Sequence, residues 1–215
     1  YLALMALFLF PPEVMKPTAL LLNIFVAGVS FYAFYRNGHF NWKLFYPFAI
    51  ASIPFAFIGG YLEIEPSLYK KILGGVLVFA VLRMLGVFGK EKANLNTMPV
   101  WQGLIAGALI GLFSGMIGIG GGIILSPLIL IMGWGRMKET AAVSALFIFV
   151  NSIAGMSGYL MNGSSIEPQA FLLVGVALIG GFAGAMFGSG RLNNLQLRYM
   201  LALVLVVASV KLFMV

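Results

Sequence analysis

The chain has 215 residues, 61% of them hydrophobic and 9% charged, with a mean hydropathy of +1.04. Those proportions exclude an ordinary soluble domain of this length and leave an all-α polytopic membrane protein. The absence of cysteine excludes a disulfide framework, thiol chemistry and a zinc-finger site, and the net charge of +7 reads as positive-inside bias and contact with membrane lipid, not as a nucleic-acid footprint.

In chain order, Tyr1 to Phe10 is an apolar stub too short to span, closed by Pro11-Pro12. Spans are expected over Pro17 to Tyr35, over Leu44 to Leu62 with interruptions at Pro54 and Gly59-Gly60, and from Lys70-Lys71 to Phe88. Gly89 to Pro99 is the most polar stretch and reads as a linker, dividing the chain into residues 1–89, 90–99 and 100–215. Trp101 to Gly133 follows, then spans over Thr140 to Leu160, Phe171 to Phe187 and Tyr199 to Val215, with loops at Arg136 to Glu139 and Asn162 to Pro168 and a loop or interfacial stretch at Arg191 to Arg198. Trp42, Trp101 and Trp134 fit interfacial aromatic positions, and His39, the single histidine, reads as a surface residue.

The run GMIGIGGGIILSP, Gly115 to Pro127, interrupts the Trp101–Gly133 segment. Gly118, Gly120, Gly121 and Gly122 fall within five positions, and each glycine costs a helix interior roughly 1 kcal/mol. In hydrocarbon a broken backbone is tolerated only where protein or a cavity surrounds it. The reading is two half-helices, one ending near Gly115 and one starting near Gly122, the second offering free N–H groups and a positive dipole end to an anion. Close packing is the competing reading of the cluster and the favoured one for Gly103, Gly107 and Gly111, spaced by four. A dinucleotide fingerprint would need a preceding strand, which nothing here suggests.

The halves repeat. MKPTALLLNIF from Met15 aligns with MKETAAVSALF from Met137, so that Lys16, Thr18 and Phe25 meet Lys138, Thr140 and Phe147. With a small shift Asn37-Gly38 meets Asn162-Gly163, and Leu68 and Lys71 meet Leu195 and Arg198. In this register Tyr1 corresponds to Ile123, which predicts a first glycine cluster upstream of Tyr1. If the broken segment is re-entrant, each repeat holds three spans and one hairpin, and the halves are inverted. One face then collects Arg36, Lys43, Lys90, Lys92, Arg136, Lys138, Arg191 and Arg198, against Lys16, Lys70 and Lys71 on the other. A fully crossing segment makes the halves parallel and the asymmetry weaker, so the inverted arrangement is preferred, its eight-residue face cytoplasmic.

Site chemistry is sparse. There is no aspartate, and Glu13, Glu63, Glu65, Glu91, Glu139 and Glu167 all fall in or beside expected loops, which argues against a carboxylate relay or a buried cation site. The candidate substrate-binding groups are Gly118, the backbone N–H groups of Gly120, Gly121, Gly122 and Ile123, with Ser114 and Ser126, and on the next helix Thr140, Ser144, Asn151 and Ser152. Ser144, Asn151 and Ser152 share a face. In the first half the candidates are Asn23 and Ser30, likewise seven apart, with Thr18 near the helix start. Each serine or threonine could instead bond back to its own helix, whereas a buried asparagine needs partners. Lys16 and Lys138 stand just before helix starts and Arg83 inside an expected span. They attract the anion or, alternatively, snorkel to lipid phosphate.

The glycine break followed by ILSPL, the Lys-x-Thr-Ala helix opening and the duplicated layout resemble the sulfite exporter TauE/SafE family, also called 4-toluene sulfonate uptake permeases. The similarity covers nearly the whole chain. It departs at the first glycine motif, which would precede Tyr1, and at Pro11-Pro12, where the second repeat has Gly133-Trp134. The resemblance implies a transporter in a bacterial or archaeal plasma membrane, working on sulfite, sulfonates or other small sulfur-containing anions. A homo-oligomer is compatible with this reading. No cofactor or metal is expected, nor is ATP hydrolysis, because no Walker A motif occurs. The alternatives are a non-transporting membrane subunit of a larger complex and a membrane enzyme, for which no catalytic dyad is evident.

Overall fold

The computed structural model describes residues 2–8, 10–84, 95–191 and 194–214, with side chains described for all of these except 84, 181–191, 194–201, 213 and 214. All regular structure among the described residues is helical: α1 (Leu2–Leu7), α2 (Pro12–Arg36), α3 (Trp42–Tyr61), α4 (Pro66–Met84), α5 (Val100–Ile117), α6 (Gly122–Met132), α7 (Met137–Met161), α8 (Pro168–Arg191) and α9 (Asn194–Met214). Helices α2, α3, α5 and α7 are long and apolar enough to cross a membrane. The protein is an all-α polytopic membrane protein.

Several boundaries differ from those read off the sequence. Helix α2 begins at Pro12, not Pro17, because proline is at home in a first turn and because Val14 and Met15 are buried there. Helix α3 runs unbroken through Pro54, Gly59 and Gly60, opened by Asn41, whose Oδ1 accepts the Lys43 and Leu44 N–H groups. Helix α4 starts earlier, at Pro66, and is described as far as Met84, with Arg83 in its last described turn; the expected end near Phe88 lies outside the described residues. Most of the expected linker, through residue 94, lies outside the described residues, as do residues 192 and 193 of the expected loop at Arg191 to Arg198. The rest of that loop is helical, in the end of α8 and the start of α9.

The described chain forms two compact units, each drawing segments from both sides of the linker. One comprises residues 1–22, 64–87 and 166–215. In it α9 packs against α1 and α4, Ser209 Oγ donates to the Gly74 carbonyl at 3.1 Å, and Lys211 Nζ donates to the Leu7 carbonyl. The other unit comprises residues 23–63 and 88–165 and holds the glycine break.

In this second unit α3 lies between α5 and α7, and all three run parallel. Along α5, Gly103, Gly107, Gly111 and Gly115 meet Pro47, Phe48, Ser52 and Ala56 of α3 in the same order. A Cβ at Gly107, Gly111 or Gly115 would fall on a carbonyl oxygen of α3. Gly60 and Gly155, and Gly158 with Phe57 and Tyr61, make the same close approach between α3 and α7. The small residues spaced by four are helix-packing surfaces, as their spacing predicted. Leu44, Phe48, Ile110, Leu125, Ile129, Val143 and Phe147 fill the space around them. Trp134 belongs to this core, 9% exposed with its ring 6.0 Å from that of Phe48, and is not an interfacial residue; Trp42 and Trp101 are exposed.

The broken segment folds back on itself. Helix α6 runs antiparallel to α7: the Gly122 position abuts Ile148, and Ser126 Oγ lies 2.8 Å from Ser144 Oγ. At its far end the Gly133 carbonyl accepts the Asn96 N–H at 2.7 Å and the Met132 carbonyl accepts Asn96 Nδ2 at 3.0 Å. Asn96 precedes α5, so the end of α6 meets the start of α5 and the pair is a hairpin. Helix α2 also runs antiparallel to α7 here, with Asn23 and Ser152 both beside Gly120 and Gly28 beside Phe149.

Replacing Gly115 by alanine is expected to destabilise the protein by about 1–3 kcal/mol, because the new methyl meets backbone that cannot rotate away. Gly75→Ala, with nothing within 4 Å of the new atom, serves as the control and should leave the thermal midpoint in detergent unchanged or slightly raised.

Candidate functional site

The break is built from left-handed backbone. Helix α5 ends at Gly118 (φ 85°), whose N–H donates to the Ser114 carbonyl at 2.8 Å. Gly120 (φ 77°) and Gly121 (φ 79°) follow, conformations that any side chain would strain. Gly121 is the N-cap of α6, its carbonyl accepting the Ile124 and Leu125 N–H groups at 3.1 and 3.0 Å. The Gly122 and Ile123 N–H groups precede these first intrahelical bonds and are the open donors of the helix terminus. The second half-helix starts where the sequence placed it, and the first ends two residues later than Gly115.

Side chains wall the break closely. A Cβ at Gly121 would lie 2.8 Å from both Ile110 Cγ2 and Phe147 Cε1. One at Gly120 would lie 2.6 Å from Ile148 Cγ2, 3.0 Å from Asn23 Nδ2 and 3.2 Å from Ser152 Oγ. Asn23 Nδ2 donates to the Gly118 carbonyl at 3.1 Å, so α2 supplies a partner for backbone that the break would otherwise orphan.

Among the described residues, the buried side-chain atoms with no hydrogen-bond partner are Ser114 Oγ, Thr140 Oγ1, Asn151 Nδ2 and Oδ1, and Ser152 Oγ. All belong to this unit. Ser114 lies in the last turn of α5 and is 2% exposed, while Asn151 and Ser152 are fully buried on α7. Ser152 reaches Gly120, and Asn151 stands one turn beyond Phe147 on the same face, which abuts Gly121. Thr140 lies further along α7, beside Gly135. An orphaned buried hydroxyl or amide costs about 1–3 kcal/mol, so each of these groups calls for an explanation. The basic residues described in this unit, Arg36, Lys43, Arg136 and Lys138, are all exposed.

The sulfite exporter TauE/SafE family model matches residues 1–212. The chain belongs to the TauE/SafE family. A probable membrane transporter protein of Sinorhizobium fredii is 36% identical over 217 residues, covering 99% of this chain and 87% of that protein. A probable membrane transporter of Bacillus subtilis is 25% identical over 81% of this chain and 71% of its own length. A protein of Arabidopsis thaliana named as a sulfite exporter TauE/SafE family member is 28% identical over 51% of this chain and 23% of its own length. No solved structure matches. Membership makes this TauE/SafE chain an integral membrane transporter, not an enzyme.

Of the residues singled out from the sequence, the fold of this TauE/SafE protein gathers Ser114, Gly118, Gly120, Gly121, Gly122, Ile123, Asn23 and Ser152 around the break, with Asn151 one turn from Phe147. Ser126 and Ser144 hydrogen-bond to each other, and Ser126 also donates to the Gly122 carbonyl at 2.8 Å, so both are engaged. Thr18 and Ser30 bond back to the Val14 and Val26 carbonyls of their own helix. Thr18 and Lys16 belong to the other compact unit, where Lys16 is buried; its repeat counterpart Lys138 is exposed. Arg83 is half-buried, also in that unit. Asn96, which ties the hairpin ends together, was missed. Its only signal was a polar side chain shortly before a helix start, and its partners lie 36 and 37 residues away.

Asn23→Ala removes the amide that satisfies the Gly118 carbonyl and is expected to cost about 1–3 kcal/mol, with faster amide exchange over residues 118–123. Ser30→Ala, which removes only a back-bond, should change stability by no more than about 0.5 kcal/mol. Equal effects of the two would show that the Asn23 contact does not hold the break.

Proposed function

We propose that this transporter carries small sulfur-containing anions, such as sulfite or sulfonates, and binds them at the α5–α6 break. The anion is held by the Gly122 and Ile123 N–H groups at the positive end of α6, with Ser114, Asn151 and Ser152 as further neutral donors. The observation carrying this reading is the fully buried, unpartnered hydroxyl of Ser152 beside Gly120, just before α6, with the unpartnered Asn151 amide one turn beyond Phe147 on the same helix. The sulfur class of the substrate rests on the family's name. The repeats are inverted in this proposal, a reading supported by the hairpin of α5 and α6 and by the antiparallel pairing of α2 with α7. Transport follows as one repeat moves against the other around the bound anion, and the basic face carrying Arg36, Lys43, Arg136 and Lys138 is cytoplasmic.

The test is thermal stability of the purified protein with sulfite, sulfonates, chloride and acetate. A ligand at about 100 times its Kd should add about 2.7 kcal/mol. The sulfur anions are expected to shift the midpoint and chloride and acetate to leave it unmoved. Ser152→Ala removes an orphaned hydroxyl, so the ligand-free protein should be as stable as the parent or more so, while the anion shift is lost. A shift of equal size with acetate, or one that survives in Ser152→Ala, would remove the site from consideration.

A further inference from the structure

Helix α7 carries one row of side chains that meets the α5–α6 hairpin from Gly120 to Gly135. Thr140, Ser144, Ile148 and Ser152 stand four residues apart and so share a face. Thr140 Oγ1 is 3.4 Å from where a Cβ at Gly135 would lie, just past the end of α6, and Ile129 of α6 is 3.2 Å from the same point. Ser144 Oγ lies 2.8 Å from Ser126 Oγ, in the middle of α6. Ile148 meets the Cβ positions of both Gly120 and Gly122, and Ser152 that of Gly120. At 1.5 Å per residue the row covers about 18 Å of helix, more than half of a hydrocarbon core of about 30 Å.

The hydroxyls of this row differ from the others in what they bond. A serine or threonine within a helix commonly donates to a carbonyl four residues back. Thr18, Ser30, Ser126 and Ser157 all do so, to Val14, Val26, Gly122 and Ile153. Thr140 and Ser152 are buried and make no bond, and Ser144 turns to Ser126 on α6. Because Ser126 donates to the Gly122 carbonyl, the hydrogen between the two serines comes from Ser144. All three hydroxyls of the row thus address the α6–α7 seam, two of them at a cost of about 1–3 kcal/mol each. The interval between Ser144 and Ser152 has no hydroxyl, and Ile148 fills it.

Resting on the anion-site reading above, we propose that the substrate travels between the break and the basic face along the α6–α7 seam. It passes from Ser152 to Ser144 with Ser126 and then to Thr140, and Ile148 is the constriction that closes the route beside the break. The exposed Arg136 and Lys138 stand at the outer end. Each hydroxyl replaces part of the hydration that an anion loses inside the protein. A β-branched side chain in a helix has one strongly preferred χ1 rotamer, so Ile148 does not swing aside by itself. The route opens as α6 and α7 part, a movement resisted at this level by the Ser126–Ser144 bond and the packing of Ile148 on Gly120 and Gly122.

The chain contains no cysteine, so single cysteines report access directly. Thr140→Cys and Ser152→Cys are made separately, and their rates of modification by 2-sulfonatoethyl methanethiosulfonate, a small anionic thiol reagent, are measured in membrane vesicles. Thr140→Cys is expected to react faster than Ser152→Cys. Adding Ile148→Ala should speed Ser152→Cys by about tenfold, the factor given by about 1.4 kcal/mol of barrier, and leave Thr140→Cys unchanged. Ile148→Val removes one methylene, should speed Ser152→Cys by less, and serves if the alanine variant does not fold. Ser157→Cys, on another face of α7, should respond to neither.

A Ser152→Cys rate that neither change at position 148 alters would overturn the proposal, as would an equal rise at Ser157→Cys. The thermal-shift test of the unaltered protein reads the anion site separately. If sulfur anions shift the midpoint while position 148 has no influence on labelling, the site stands and this route falls. If they do not shift it, the site falls and the route with it, whatever the labelling rates.

Discussion

Backbone polar groups cannot remain unpaired inside a bilayer, and the structure depends on how one local violation of that rule is contained. A continuous helix from Trp101 to Gly133 would satisfy every internal amide. The glycines at 118, 120 and 121 take left-handed conformations instead and open the helix ladder. Several of the exposed carbonyls are then met by donors. The Ser114 carbonyl receives the Gly118 N–H, the Gly118 carbonyl receives Asn23, and the Gly133 and Met132 carbonyls receive Asn96. Helix α2, distant in sequence, and Asn96, just before α5, thus converge on one hairpin. Without these partners the break would cost more than continuing the helix, so their presence is what makes the hairpin a defined structure.

The glycine stripes serve the same end at longer range. A half-helix of 11 residues is about 16 Å long and cannot span by itself, so its position has to be set by neighbours. In hydrocarbon no solvophobic force drives helices together, and backbone-to-backbone contact with dispersion takes its place. Gly107, Gly111 and Gly115 bring α5 onto the carbonyls of α3, and Gly60 and Gly155 bring α3 onto α7. These contacts leave little room for sliding. The polar face of α7 is thereby held at the level of the break, with Ser152 at Gly120 and Phe147 at Gly121.

Much of this was legible in the sequence. A cluster of four glycines in an apolar stretch has few physical readings, and α6 starts at Gly122 as they indicated. Spacing by four marked the packing face of α5. Asn23 and Asn151 stood out because an amide in hydrocarbon requires an explanation, and one bonds the break while the other is buried without a partner on α7. Tertiary partnership was not legible. Trp134 reads as interfacial by residue type, yet it is buried against Phe48, because a tryptophan after a helix C-cap can turn inward as easily as out. Pro54 and Gly59-Gly60 read as interruptions, but packing of those glycines on α5 and α7 offsets their low helix propensity. Among serines and threonines, sequence could not separate Thr18 and Ser30, whose hydroxyls return to their own helix, from Ser114 and Ser152, whose hydroxyls do not. That distinction depends on whether a neighbouring carbonyl is within reach of the rotamer, a property of packing.

Neutral donors suit a carrier for a reason that follows from the same energetics. A lysine or arginine buried beside the break would attract an anion strongly, but in a low dielectric the pair would be slow to separate, and the empty site would hold an uncompensated charge. Carriers cycle through both the loaded and the empty state, so the cost of each matters. Orphaned hydroxyls and one amide burden the empty state by only a few kcal/mol, an amount that ligand binding can recover and ligand release can return. The exposed cations Arg36, Lys43, Arg136 and Lys138 can raise the local anion concentration from outside without taking part in that exchange. In the proposed site attraction and binding would thus fall to different residues, charge at the surface and dipoles within, with the unpaired polar groups near Gly120 as the interior's contribution.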